Sequence, residues 1–467
     1  MEIRKSVYGL PAGDKTIEWY ARAIAEMKTR STSDPTSWAY LGAIHGLSHN
    51  PERNQYWKQY APFPPKSEVD DFWEKCQHQT WYFLPWHRMY LAYFEQIVAE
   101  TIQDLGGPSD WALPFWNYSD TANPRALDIP SQFTSPANAS NSLWMPNRHN
   151  QVDQSSVTLN ALEKELYTTV DFLDPEYGGP ETKFSHDGES NGALESLPHN
   201  HIHVDISGAM GNPDTAGLDP IFWLHHANID RLWQIWLNQG GGRINPDEKN
   251  WLDFKFNFHN KNSQPVKITP REVEDTRLVL SGYVYEGVPP SAPTTKDKKF
   301  AAPAARRAPI MPLEVVDATQ EKHHLKGEPS RVALSFGTSK QKRQPVAKSF
   351  SDQRTVKKRT VLRFENIKGK GLVPVHSVFI EAPNKQGEIE AHFVGSLALF
   401  GLERSSGTDE HHSGSGLSEH FNITDVLDLL QSSEQLNLDK LNVLIKPNRA
   451  MPDDVSVSVG RISLYSE

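Results

Sequence analysis

Two adjacent histidines, His225 and His226, lie inside a run of large apolar residues that restricts how the chain can fold. The run DPIFWLHHANIDRLW begins at Asp219 and places Pro220 where the first turn of a helix tolerates it. A helix this apolar must be buried. Burying an imidazole without a partner costs about 1–3 kcal/mol. A bond to a carbonyl could explain one such histidine, but two indicate a ligand with a supporting neighbour.

A second pair of histidines occurs in PHNHIH, residues 198–203. His199 and His203 are four residues apart and face the same side of a helix, whereas His201 points elsewhere. Two histidines at this spacing can chelate a divalent metal, although the same spacing also arises by chance.

A third group lies nearer the N-terminus. His78 and His87 are nine residues apart, about 180° around an ideal helix, so they cannot share a helix face. Pro85 predicts the start of a new helix, which leaves His78 in the preceding loop and His87 in the first turn. The loop could then fold its histidine towards the same metal. His45, near the end of an amphipathic helix, adds another imidazole.

The chain therefore has two candidate groups of three imidazoles: His45, His78 and His87, then His199, His203 and one of His225 and His226. Imidazole-only ligation suits copper or zinc rather than magnesium or calcium. Three histidines with an open position also describe a catalytic zinc site. The lack of an HExxH motif and of carboxylate ligands, in aromatic-rich helical surroundings, favours copper.

The hydrophobic pattern predicts a mainly α domain over 1–287 and a smaller all-β sandwich over 313–467, joined by a Pro- and Ala-rich linker at 288–312. Helical spacing of apolar residues occurs in five segments of the first domain: 17–28, 36–47, from Pro85, after Pro198, and 220–237. The second domain shows short alternating segments and one helix near 423–431.

Composition limits the possible partners. The 467 residues carry a net charge of −10 and one cysteine, which excludes an internal disulfide framework. No apolar run approaches the ~20 residues of a membrane span, and no signal segment is visible at the N-terminus. The basic stretch 289–360 is interleaved with Pro, Ala, Ser and Thr, which favours a solvated linker over a nucleic-acid contact. We expect a cytoplasmic monomer or weak oligomer that binds neither nucleic acid nor membrane.

On these motifs, residues 1–287 resemble the tyrosinase family of dicopper proteins, which includes catechol oxidases and, more distantly, hemocyanins. His45, His78 and FLPWHR match the first copper motif, and PHNHIH and DPIFWLHHANIDRLW match the second. The family pattern makes His226 the ligand and leaves His225 a structural or supporting role. The resemblance implies two copper ions, O2 as co-substrate, and phenolic or catecholic substrates that are oxidised to ortho-quinones.

The same resemblance implies roles for other residues. Cys76 and His78 match a fungal pattern in which the cysteine sulfur joins the histidine ring as a thioether. Glu195 and Asn200 match a pair that holds a water and takes the proton of a monophenol, so we expect monophenol hydroxylation as well as diphenol oxidation. A free buried thiol and an acid at a helix start are the plain alternatives.

Tyr283 and Tyr285 are similar to the motif that closes the family's core domain, and Arg4 to its N-terminal arginine partner. The C-terminal part resembles, less specifically, the domain that covers the active site in plant and fungal enzymes and is removed on activation. Exposed cleavage sites are then expected in the linker, at Lys298, Lys299, Arg306 and Arg307.

Three other functions remain open on the sequence. A catechol oxidase would use the same centre for diphenols only, a hemocyanin-like carrier would bind O2 without turnover, and a dinuclear zinc hydrolase would need no redox chemistry. Four histidines outside the two groups, His49, His149, His186 and His259, are predicted to be surface or loop residues.

Overall fold

The described residues form two compact units, one between residues 1 and 290 and one between 314 and 466. The structure is a computed structural model that describes these residues: 1–168, 176–182, 190–290, 314–319, 321–333, 359–408, 414–433, 435 and 441–466. The first unit is mainly helical and the second mainly β, which confirms the predicted fold class. From residue 291 onward the predicted linker lies outside the described residues, so its boundaries stay predictions.

The first unit is built from helices with two small pairs of strands. Its helices are α1 (Thr16–Met27), α2 (Trp38–His45), α3 (Lys66–Phe72), α4 (Phe83–Asp104), α5 (His201–Ile206), α6 (Pro213–Ala216), α7 (Pro220–Asn238) and α8 (Lys249–Leu252). Its strands are β1 (Glu2–Arg4), β2 (Phe256–His259), β3 (Pro265–Ile268) and β4 (Tyr283–Tyr285). β1 pairs with β4 in parallel, and β2 pairs with β3 antiparallel.

α7 begins where the sequence predicts, because two residues satisfy its N-terminus. The Asp219 side chain accepts a hydrogen bond from the N–H of Ile221 (3.0 Å), and Pro220 occupies the first helical position. The Arg148 Nε also donates to the Asp219 carboxylate (2.7 Å), and the same side chain donates to the Phe133 carbonyl. The long loop before α5 is thereby connected to the helix that carries His225 and His226.

Aromatic packing holds the histidine-bearing helices together. The ring of Trp223 on α7 stacks on Phe94 of α4, with centroids 3.5 Å apart and planes 7° apart. Trp38 on α2 contacts both rings, at 6.1 and 6.3 Å. Such pairs contribute about 0.5–1.5 kcal/mol each beyond their burial. α2, α4 and α7 therefore share one core, which places their histidines near one another.

A buried charged network connects β1, α4, α7 and β4. Asp230 accepts hydrogen bonds from Arg88 Nε and from the hydroxyls of Tyr283 and Tyr285, each at 2.6 Å. Arg4 donates to the Tyr285 hydroxyl at 2.7 Å, which confirms the predicted partnership. Burial alone would raise the pKa of Asp230, but Arg88 and Arg4 hold it below its usual range.

The second unit is a sandwich of two sheets. Its strands are β5 (Glu314–Ala318), β6 (His323–Leu325), β7 (Ser330–Ala333), β8 (Thr360–Lys370), β9 (His376–Pro383), β10 (Ile389–Leu397), β11 (Leu417–Asn422), β12 (Asn442–Pro447) and β13 (Ser456–Ser466). One sheet has the order β10-β9-β12-β7, and the other has the order β11-β8-β13-β5, with β6 also on β13. Two short helices, Leu402–Ser406 and Thr424–Ser432, accompany them.

Both sheets of the second unit contribute to one apolar core. Phe364 and Ile462 come from one sheet, and Ile380 and Val443 from the other. All four side chains are fully buried, so this unit has a core separate from the aromatic core of the first. In the described part of the chain, no helix combines the length and apolar character needed to cross a membrane.

Candidate metal centre

The first histidine group comes together from two helices and a loop. His45 is the last residue of α2, His87 is the fifth residue of α4, and His78 lies in the loop before α4, as the sequence predicts. The ligand atoms of these three histidines and of Cys76 all lie within 4.8 Å of one another. His78 is the member of this group that is partly exposed, so solvent reaches the group from its side.

Backbone carbonyls fix the tautomers of the buried histidines in this group. His45 Nδ1 lies 2.9 Å from the carbonyl oxygen of Pro213, and His87 Nδ1 lies 2.8 Å from that of Phe83. A carbonyl oxygen only accepts hydrogen bonds, so each Nδ1 must carry the proton. Each Nε2 then presents its lone pair, as a metal ligand requires.

A kinked helix brings the second group together. The segment Glu195–Asn200 is helical except at Leu197, whose φ of −143° and ψ of 120° are extended, and α5 follows it directly. His199 at the end of this segment and His203 in α5 face the same side, with ring centroids 4.6 Å apart. His203 Nδ1 lies 2.9 Å from the Met210 carbonyl, so its Nε2 is also oriented for a ligand.

The second group contains four histidines whose ligand atoms lie within 4.8 Å of one another: His199, His203, His225 and His226. His201 is directed away from them, as expected, and its Nδ1 lies 2.9 Å from the Ser196 carbonyl. The sequence left open which of the adjacent histidines joins the group, and distance alone admits both.

His226 lies between the two groups. Its ring stacks on His87 of the first group, with centroids 4.4 Å apart and planes 4° apart. Its Nε2 lies 3.3 Å from Nε2 of His203 in the second group. The His225 ring packs within the second group, on His199 at 5.3 Å and His203 at 4.9 Å, and it also contacts Tyr118 at 5.8 Å. The two groups therefore adjoin through His226 and form one dinuclear site.

Burial keeps these imidazoles neutral. Desolvation lowers the pKa of His199 to about 3, and it lowers the pKa of four other histidines well below the usual range: His87, His203, His225 and His226. Neutral imidazole is the form that binds transition metals. The donor set therefore fits two copper ions, one beside each group.

Comparison with known proteins decides the family. The family model for the common central domain of tyrosinase matches residues 35–167 and 134–239. A curated tyrosinase from Hahella sp. (strain CCB-MM4) is 44% identical over 483 residues, with all of both chains covered. The chain belongs to the tyrosinase family. Its cofactor is accordingly a pair of copper ions, which the two histidine groups are able to hold.

Further family models, a plant relative and a solved structure are consistent with this family. The model of the polyphenol oxidase middle domain matches residues 245–296, and a domain of unknown function matches 312–467. A chloroplastic polyphenol oxidase from Malus domestica is 29% identical over 310 residues, covering 60% of this chain and 49% of that one. The solved structure of latent apple tyrosinase has a TM-score of 0.59 at 22% identity, covering 100% of this chain and 97% of that one, which supports the fold.

Cys76 adds a sulfur to the first group of this tyrosinase-family site. Its Sγ lies 3.7 Å from both Nδ1 and Nε2 of His78, and 3.3 Å from Nε2 of His87. Equal distances to the two nitrogens place the sulfur on the plane that bisects the His78 ring between them, which contains Cε1 and passes between Cγ and Cδ2. The thiol is buried, at 1% exposure.

The structure places Glu195 and Asn200 at opposite ends of the kinked segment, and both are buried. The Glu195 carboxylate accepts the backbone N–H of Gln79, at 2.8 Å to one oxygen and 3.0 Å to the other. The Asn200 Oδ1 lies 2.9 Å from Nδ1 of His199. Asn200 therefore contacts a histidine of the second group, and Glu195 contacts the residue that follows a histidine of the first group.

Sequence reasoning missed the aromatic walls of the site. The ring of Phe222 lies 4.2 Å from that of His226 and 4.9 Å from that of His45. Phe83 lies 4.6 Å from His87 and 4.7 Å from His199. Both occur in the motifs, but their apolar character alone predicted only core packing.

The prediction that His259 is a surface or loop residue is wrong. It lies on β2, is 5% exposed, and its ring contacts Phe72 at a centroid distance of 4.0 Å. The Tyr40 hydroxyl lies 3.3 Å from its Nδ1, and Glu68 lies 3.8 Å from its Nε2. These contacts explain the burial, and they lie apart from both histidine groups.

Proposed function

We propose that this chain oxidises phenols with O2 at a dicopper centre, hydroxylating monophenols at the ortho position and converting o-diphenols to o-quinones. The observation that carries the proposal is the meeting of two histidine groups at His226, which stacks on His87 while its Nε2 faces His203. The tyrosinase from Hahella supports the reaction class by its name and its full-length similarity.

The orientations of the histidine rings support an assignment of the copper ligands. We assign the first copper to His45, His78 and His87, and the second to His199, His203 and His226. His225 is assigned a supporting role, because its ring packs on His199 and Tyr118 rather than towards the first group. When bound, the copper pair supplies the redox chemistry with O2.

The protein's own groups prepare the site for that chemistry. The carbonyls of Pro213, Phe83 and Met210 hold three imidazoles in the tautomer that presents Nε2. The apolar rings of Phe83 and Phe222 pack against histidines of both groups. Imidazoles fixed in this way would hold the two copper ions in place, and positioning contributes much of the rate.

A monophenol must lose its proton. Its pKa lies near 10, so deprotonation at pH 7 costs about 4 kcal/mol, and a nearby base removes much of that barrier. We assign this task to a water held by Glu195 and Asn200. Their burial, the contact of Glu195 with the residue after His78, and the contact of Asn200 with His199 support the assignment.

We further assign a thioether between Cys76 Sγ and the His78 ring, supported by the position of the sulfur on the plane through Cε1. The thiol S–H and one ring C–H are replaced by an S–C bond, and two protons and two electrons pass to O2. Intact mass tests this step, because the linked chain is lighter by two hydrogens and has no titratable thiol. An unchanged mass with a free thiol contradicts it.

Copper analysis and oxygen uptake on the full chain test the function. We expect two coppers per chain, sustained oxygen uptake with catechol, and slower uptake with a monophenol such as tyramine. Oxygen binding without turnover would favour a carrier, and hydrolytic activity with zinc would favour a zinc hydrolase. Fewer than two coppers with no phenol oxidation would contradict the proposal.

Glu195→Gln separates monophenol hydroxylation from diphenol oxidation. We expect its monophenol rate to fall by about 100-fold or more, the usual contribution of a general base, while diphenol oxidation changes little. Glu100→Gln, on an exposed residue paired with Lys261, is the matched control. If Glu195→Gln keeps its full monophenol rate, the assigned role is wrong. If the wild type oxidises diphenols only, the chain is a catechol oxidase.

A further inference from the structure

Glu195 connects the two histidine groups through a hydrogen bond to the loop of the first group. It begins the segment that ends in His199 and Asn200, and its side chain reaches across to the loop of the first group. There both carboxylate oxygens lie within hydrogen-bond distance of the N–H of Gln79, at 2.8 and 3.0 Å. Gln79 directly follows His78 in the chain.

The backbone of Gln79 is held in an uncommon conformation at this contact. Its φ is 57°, in the left-handed region that residues other than glycine rarely adopt. The residue belongs to neither a helix nor a strand, so no regular hydrogen-bond ladder fixes it. A hydrogen bond to a fixed oxygen acceptor, charged or neutral, sets the direction of the donor N–H. The contact can therefore hold the loop in a conformation that its sequence does not favour.

The first group depends on this loop. His45 and His87 are carried by helices, whereas His78 lies outside the helices, at an isolated β-bridge position next to Gln79. His78 is also the partly exposed member of the group. Glu195 itself is 1% exposed, and a buried carboxylate that loses a hydrogen-bond donor is destabilised.

We propose that Glu195 is a positioning residue that couples the two copper sites, because its bond to the Gln79 N–H orients the His78 loop for the first copper. This inference rests on the proposed dicopper function and adds a second role to the same carboxylate. Loss of the bond lowers copper binding at the first site, while the second site, carried by the kinked segment, α5 and α7, stays filled.

Two substitutions of Glu195 separate this role from proton transfer. Glu195→Gln keeps an amide oxygen that accepts the Gln79 N–H, so we expect two coppers per chain even though its monophenol rate falls. Glu195→Ala removes the acceptor, and we expect it to keep about one copper per chain after dialysis against a chelator. The affinity of the first site should fall by about 10–100-fold, as for groups that orient metal ligands. Copper analysis and intact mass are the measurements, and neither depends on activity.

Substitutions of Gln79 test the same bond from its other end and cover the case in which Glu195→Ala does not fold. Gln79→Asn tolerates the left-handed conformation and keeps the N–H in place, so we expect two coppers. Gln79→Val carries a β-branched side chain that disfavours this conformation, so we expect copper loss like that of Glu195→Ala. Both changes remove the glutamine side chain, so a difference between them reports the backbone conformation alone.

The wild type separates this inference from the proposed function, because fewer than two coppers in wild type contradicts the dicopper assignment itself. Two coppers in wild type, together with wild-type copper affinity in both Glu195→Ala and Gln79→Val, overturns the coupling. Copper loss in Glu195→Gln as large as in Glu195→Ala also overturns it, since charge rather than the hydrogen bond would then be responsible.

Discussion

His225 and His226 are neighbours in the chain, yet their rings meet different surroundings. Both rings contact the other histidines of the second group, but His226 also stacks on His87 of the first group, whereas His225 contacts Tyr118. Both rings are fully buried and belong to the same group of four. Their roles therefore depend on direction rather than on distance.

His226→Gln is expected to lose about one copper per chain, because the amide cannot replace an imidazole facing both groups. His225→Gln should retain two coppers, with an affinity loss within the ~10–100-fold range of groups that support ligands. Metal analysis after dialysis measures both variants. The opposite result, in which His225→Gln loses a copper and His226→Gln keeps both, would show that the ligand assignment is reversed.

Asp230 lies at the centre of the buried charged network that connects β1, α4, α7 and β4. Asp230→Asn leaves Arg4 and Arg88 buried with less compensation, so we expect the free energy of unfolding of the first unit to fall by about 3–5 kcal/mol. Urea unfolding followed by tryptophan fluorescence measures this loss. Asp253→Asn, which removes an exposed pair with Arg271, is the control and should cost less than about 1 kcal/mol. Equal losses would contradict the buried network as a source of stability.

Asp230 should also make the stability of the first unit depend on pH. The pKa of Asp230 is lower in the folded chain than its ordinary value near 4. Its contribution is therefore fully present above that ordinary pKa and is lost as the pH falls through the lower folded value. We expect stability to decline below about pH 4, with a smaller decline in Asp230→Asn. Equal acid dependence of the two chains, measured by urea unfolding at several pH values, would rule out this contribution.

At the level of elements, α2 reaches the site by a close approach to α6. Gly46, directly after His45, is extended, and a Cβ there would lie 2.5 Å from the carbonyl oxygen of Pro213. That carbonyl accepts the hydrogen bond from His45 Nδ1. The absence of a side chain at Gly46 therefore helps to fix the His45 tautomer.

Gly46→Ala should push α2 and α6 apart and weaken copper binding at the first group. We expect the free energy of unfolding to fall by about 1–3 kcal/mol, as for overpacked cores, and copper affinity to fall with it. Gly9→Ala is the control, since its nearest contacts would lie at an ordinary 3.4 Å. Copper titration and urea unfolding measure both effects, and unchanged copper affinity would show that α2 can shift without disturbing His45.

The sequence predicts elements well where local chemistry decides them. α7 begins at Pro220 and ends at Asn238, one residue from the predicted end, because Asp219 and Pro220 are unambiguous start signals. The histidine motifs likewise predict both groups, since ligand residues must be spaced to meet one metal. The kink at Leu197 was not predictable in this way, because the segment after Pro198 has ordinary helical spacing.

Features that depend on contacts between residues distant in sequence could not be predicted from the sequence. The Gln79 N–H bonds a carboxylate 116 positions away, and nothing local at Gln79 signals a donor. His259 was misplaced for the same reason, since its partners Tyr40 and Glu68 are distant in sequence. In the second unit, β11 is fixed by its pairing with β8, which lies some fifty residues earlier in the chain and which no local signal in β11 indicates.

At the scale of the whole molecule, two separate cores predict two folding units. Aromatic stacking around Trp223 and Phe94 builds the first, and aliphatic residues such as Ile380 and Val443 build the second. Because neither set depends on the other's side chains, each unit should remain folded after the chain is cut between them. Calorimetry of the cut and uncut chains should therefore show two transitions in each.

Shielding of the copper site by the second unit stays a prediction, which cleavage within 288–312 tests. If the second unit shields the site, trypsin should raise the rate of diphenol oxidation while two coppers per chain are retained, because the cut lets the substrate reach the site without altering the ligands. A variant with glutamine at every basic residue of this linker, Lys296, Lys298, Lys299, Arg306 and Arg307, should resist this activation. Complete cleavage with an unchanged rate contradicts shielding. Loss of both copper and activity would instead mean that the second unit stabilises the first.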